Sequence, residues 1–128
     1  YVDFDELKKK NSFHKTNYSF NQIDLEKTKL SKLKRKLAFR KYDLVTLFRF
    51  LHRPLFRIIP LLMKKNGLFF CETFMIQNGK GKLKTKKNML LEKELFNLKS
   101  YKLNLIKFYQ GKDLQKGNFI QAAIYKKV

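Results

Sequence analysis

The sequence predicts a mainly α fold: a small helical bundle with a projecting β-hairpin and an irregular N-terminal arm. Three observations carry that prediction. Residues 43–78 form the most apolar stretch and show apolar positions at helical spacing. Helical spacing recurs on both sides, over 22–41 and 88–99. From residue 101 the pattern changes to alternation, which marks strands. At 128 residues and 44% hydrophobic content, the chain is long enough for one core.

In chain order, residues 1–21 mix polar and aromatic residues without a period and read as an extended arm. Ile23, Leu30, Leu33 and Leu37 share one face of a helix over 22–41, with Asn21 as its N-cap. Asp43 then caps a short helix over 44–52, whose Leu44, Leu47, Phe48 and Leu51 follow i, i+3, i+4, i+7. Pro54 restricts Arg53 and opens a second helix over 54–65, kinked at Pro60 and ended by the Asn66-Gly67 stop signal. A third helix is expected over 68–77, with Phe70, Phe74 and Ile76 buried and Cys71 a small core residue. Residues 79–87 form a basic loop, and Leu91, Leu95 and Leu98 line a last helix over 88–99. The alternation of YKLNLIKFY, the glycine-flanked GKDLQKG and the run NFIQAAIY predict a hairpin at about 101–125. Residues 22–128 are therefore expected to form a single helical domain behind the 1–21 arm.

Charge points to the partner. The formal net charge is +20, and residues 1–31 contribute only +1 of it. So large an excess repels itself in a free domain and fits a polyanionic ligand, nucleic acid above all. All five Arg fall between residues 35 and 57, although Lys dominates elsewhere. Guanidinium groups bind phosphate bidentately and stack on bases. The candidate RNA-binding residues are Lys32, Lys34, Arg35, Lys36, Arg40 and Lys41 on and after the first helix. Arg49, Arg53, Arg57, Lys64 and Lys65 follow in the core segment. Lys80, Lys82, Lys84, Lys86 and Lys87 lie in the basic loop, and Lys112 and Lys116 at the hairpin tip.

No constellation for catalysis stands out, so the protein is expected not to be an enzyme. One cysteine excludes an internal disulfide, and His14 and His52 lack metal-ligand spacing, so no metal or cofactor is expected. The 79–87 loop lacks the GxxxxGK[ST] spacing of a nucleotide-binding loop, and no small-molecule substrate is expected. No stretch approaches the roughly 20 apolar residues that cross a bilayer.

Three short motifs resemble the universal small-subunit ribosomal protein seven family in a diverged mitochondrial form. Ile58, Ile59, Leu62, Met63, Lys64 and Lys65 precede Cys71 and Glu72 at the family's spacing. Asn97 stands near the end of the helix before the hairpin, and Gly117, Gln121 and Ile124 mark the returning strand. The resemblance covers about residues 55–128 and implies a helical core with a hairpin. It also implies a structural role in the head of the small subunit, with rRNA and neighbouring ribosomal proteins as partners and tRNA or mRNA near the hairpin. On it, Lys64 and Lys65 would face rRNA. Abundant Lys, Asn, Phe, Ile and Tyr beside scarce Ala, Gly and Pro point to an AT-rich organelle, a mitochondrion first. The alternatives are another ribosomal or RNA-binding protein, or a basic accessory subunit of an organellar membrane complex.

Overall fold

In the computed structural model, which describes residues 19–76, 88–98, 102–113, 115 and 117–128, the central apolar stretch is a sheet and not a set of helices. Strand β1 (Tyr42–Phe48) runs parallel to β2 (Met63–Phe74). The intervening residues form a 3-10 helix (Arg53–Arg57) and one helical turn, α2 (Ile59–Leu62). Strands β3 (Leu103–Lys112) and β4 (Phe119–Lys127) pair antiparallel, and β4 inserts beside β2. The result is one four-stranded mixed sheet in the order β1-β2-β4-β3. Ahead of it lies helix α1 (Leu30–Leu37).

The expected helical bundle is thus corrected to a mainly β fold, and each replaced helix has a local cause. The 44–52 segment also carries aromatic and β-branched residues suited to strands, and Val45 and Leu47 alternate inward from β1. In place of the helix expected over 68–77, β2 turns Phe69, Cys71 and Thr73 inward, a period of two that a continuous apolar run conceals. Asn66-Gly67 does not stop a helix. Asn66 takes a positive φ of 65°, and the chain continues as strand. Pro54 and Pro60 open the two short helical turns, where a missing N–H costs nothing. The helix expected over 22–41 starts late, because the Asp24 carboxylate accepts the N–H groups of Glu26 and Lys27 and turns the chain there.

The 88–98 segment is a chain of turns whose backbone groups are held by sheet side chains. Gln121 Oε1 accepts the Leu95 N–H at 3.0 Å, and its Nε2 donates to the Leu91 carbonyl. Tyr125 Oη donates to the Leu95 carbonyl, and Gln110 Oε1 accepts the Lys93 N–H at 2.7 Å. These partners stand in for i→i−4 bonds of the expected helix, of which the Asn97 N–H to the Lys93 carbonyl, at 2.9 Å, remains. The hairpin is present, but it does not project: β4 is an interior strand.

One face of the sheet carries the core. Met63, Phe69 and Cys71 of β2 and Ala123 and Tyr125 of β4 meet Leu51, Phe56, Ile59 and Leu62 from the β1–β2 connection, with Leu90 and Leu95 beside them. Phe56 meets Phe69 edge-on and Tyr125 stacks on it. Cys71 is buried here, and burial pushes its thiol up to about 12, so it is a packing residue. Leu33 of α1 packs behind this layer on Leu55 and Ile58.

Candidate nucleic-acid interface

Strand register gathers cations at one end of the sheet. Tyr42 pairs with Met63 in parallel, so Arg40 and Lys41 lead into the end of the sheet where β2 begins and where Lys64 and Lys65 follow Met63. Leu103 pairs with Lys127, which brings Lys102 and Lys126 to the same end. Contacts knit the group together. Lys41 Nζ donates to the Leu61 carbonyl at 2.7 Å. Lys127 Nζ donates to the carbonyls of Pro60 and Met63, at 2.7 and 2.9 Å. These bonds satisfy carbonyls at the C-terminal end of α2, where a cation is favoured. Lys64 pairs with Asp43 at 3.1 Å on an exposed surface.

The crowding has an electrostatic signature. Lost solvation, and then repulsion from Lys41 and Lys102, hold the Lys127 ammonium below its ordinary pKa. A site that already repels protons from its own lysine is relieved by an anion. Arg40, Lys41, Lys64, Lys65, Lys102 and Lys126 are exposed. The chain enters this end from α1, whose Lys32, Lys34, Arg35 and Lys36 are exposed and whose last turn is entirely basic where polar. Phe39, 70% exposed, lies under the Arg40 guanidinium at 5.4 Å.

The other candidates fall elsewhere. Arg57 is exposed on the 3-10 helix. Arg53 is committed to the protein: its Nε and Nη2 donate to the Glu94 carboxylate at 2.5 and 2.9 Å, and Nη2 also reaches the Met89 carbonyl. Arg49 lies toward the opposite end, paired at 3.1 Å with both Glu72 and Asp113. Its guanidinium lies 4.4 Å from the Phe74 ring centroid and 5.3 Å from that of Phe48. Lys112 closes β3, exposed, with its ammonium 5.8 Å from the Phe119 ring. Lys80, Lys82, Lys84, Lys86, Lys87 and Lys116, like the arm over residues 1–18, lie outside the described residues.

Sequence reasoning passed over Lys102, Lys126 and Lys127. Pairing the two hairpin strands antiparallel was the signal that would have joined them. Their meeting with Lys41 and Lys64 depends on the β1–β2 register, which nothing local encodes.

Among the described residues, no group of three His, Cys, Asp or Glu side chains could hold a metal ion, and no helix is long and apolar enough to cross a membrane. No protein-family model and no curated protein matches the chain.

Proposed function

We propose that the protein is a structural RNA-binding constituent of an organellar ribosome, gripping the RNA backbone through the cationic end of its sheet. The observation that carries this is the cluster of Arg40, Lys41, Lys64, Lys65, Lys102, Lys126 and Lys127, brought together on β2 and β4 and just ahead of β1 and β3. Cations spread over separate elements follow a curved phosphate backbone better than one helix face does. The net charge of +20 and the AT-rich residue usage favour a mitochondrial ribosome. The small subunit is the finer assignment that the ribosomal motifs add. Those motifs no longer share the family's helical setting, because Met63 through Glu72 lie on one strand. The proposal therefore rests on charge placement rather than on the resemblance.

The test is sedimentation of the native protein with RNA-binding isotherms beside it. Association with a small ribosomal subunit supports the full assignment; a large subunit removes the finer one. About six phosphate contacts weaken binding by roughly a thousandfold between 50 and 200 mM salt. A salt-insensitive isotherm, or sedimentation with membranes alone, would overturn the proposal.

A further inference from the structure

The second face of the sheet carries aromatic rings that no described helix or strand packs over, with the Arg49 guanidinium against Phe48 and Phe74 at one end. Register aligns its side chains in rows across the strands. Phe48, Glu72, Ala122 and Tyr109 make one row, and Thr46, Phe70, Ile124 and Lys107 the next. Leu44, Leu68, Lys126 and Asn104 make the third, and Lys126 joins this face to the cationic end. Phe48 is 60% exposed and Tyr109 47%, while Phe70 and Phe74 are half-buried between them. With neighbouring strands about 4.8 Å apart, Phe48 and Tyr109 stand about 14 Å apart, across the small Ala122.

Tyr109 is set for stacking. Its Oη donates to the Lys112 carbonyl at 2.8 Å, which ties the ring down along β3. The ring lies over Gly111, where a Cβ would sit 2.8 Å from that oxygen. Any larger residue at 111 would push the ring away. Beside it, an open cleft is lined by Glu72, Lys112, Asp113 and Ile120. Arg49 pairs with both carboxylates and Lys112 lines the same cleft, so two cations balance two carboxylates that can accept from base edges.

We propose that this face is a stacking platform for unpaired nucleotides of RNA, with Tyr109 and Phe48 as its two exposed rings. The inference rests on the RNA-binding proposal above and adds the site and the strandedness of the ligand. Bases stack on separate rings, and the phosphates between them reach Lys107 and Lys126. Polar residues explain why RNA fits better than lipid: Thr46, Asn104, Glu72 and the lysines divide the apolar surface, whereas acyl chains need it continuous. A second copy of the chain would bring another +20 charge to the same face.

The chain has no Trp, so Tyr109→Trp places a single reporter on the platform. Emission from the full-length variant should be quenched by saturating single-stranded RNA and not by a duplex with the same number of phosphates. Phe48→Leu with Tyr109→Leu keeps apolar, strand-compatible side chains and removes the stacking rings. It should lower single-strand affinity about tenfold or more, with duplex affinity, salt slope and far-UV circular dichroism unchanged. Absence of quenching while duplex RNA still binds with a steep salt slope overturns the platform alone. Failure to bind either RNA at low salt overturns the platform and the RNA-binding proposal together. Quenching by anionic vesicles or by self-association, and not by RNA, identifies a different occupant and overturns it as well.

Discussion

Gln121 accepts the backbone N–H of Leu95 at 3.0 Å across 26 positions of sequence, and both residues are buried. The same amide donates to the Leu91 carbonyl. One side chain from the interior strand β4 therefore supplies hydrogen bonds that a turn segment cannot make for itself. Gln121→Leu is close in size and leaves the buried Leu95 N–H without its partner. An unmet buried polar group costs about 1–3 kcal/mol, so the variant should lose roughly that much in urea titration. A loss under about 0.5 kcal/mol would mean that water replaces the amide.

Gly67 lies in the register shift where β2 packs against the start of β1. A Cβ there would lie 2.9 Å from the Lys64 carbonyl oxygen, 3.1 Å from that of Tyr42 and 3.2 Å from that of Asp43. All three are backbone atoms and cannot swing aside. Gly67→Ala should destabilise by about 1–3 kcal/mol, the usual cost of overpacking. It should also splay the start of the parallel pair, seen as faster amide exchange at residues 42–44. Unchanged exchange there would show that the strands re-pack at no cost.

The Arg53–Glu94 pair makes the protein sensitive to acid. Burial pushes the Glu94 carboxyl up, but hydrogen bonds from Arg53 and the Leu91 N–H more than offset it and hold it below 4.5. A carboxylate with a depressed folded-state pKa binds its proton later than it does in the unfolded chain. Its stabilisation is full above about pH 4.5 and is lost as pH falls through the lower folded value. Both side chains are partly exposed, at 37% and 20%, so solvent limits the effect to about 1 kcal/mol. Thermal melts of Glu94→Gln should therefore converge on those of the parent protein toward pH 3. A constant gap between pH 7 and pH 3 would contradict this.

Lys65 and Lys126 are exposed cations of the sheet's basic end. Each phosphate contact contributes about 0.7–0.9 to the slope of log affinity against log salt. Lys65→Gln with Lys126→Gln should lower the slope for RNA by roughly 1.5, with little change in urea midpoint. An unchanged slope would move the phosphate contacts away from this end.

Some of the candidate interface could be read without coordinates, and some could not. The clustering of arginine between 35 and 57 was visible, but Arg35 and Arg40 face solvent while Arg49 and Arg53 serve Glu72, Asp113 and Glu94. A guanidinium looks the same in sequence whether its carboxylate is 41 residues away or its phosphate is on another molecule. The exposed rings were hidden for a related reason. Phe48 looked like a core residue because its spacing to Leu44, Leu47 and Leu51 satisfies a helix. On a strand, alternation turns Leu44 and Phe48 to one face and Val45 and Leu47 to the other.

The sequence by itself determined the charge excess, its absence from residues 1–31, the alternation of the two hairpin strands and the lack of spaced metal ligands. These are properties of composition or of neighbours a few residues apart. Only the tertiary structure decided that the apolar centre is a sheet. Short apolar runs satisfy both periods locally. The choice is made by partners far along the chain: Met63 for Tyr42, Lys126 for Leu68, and Gln121 for Leu95. The same long-range register turned scattered lysines into one cationic end and opened an aromatic face beside it.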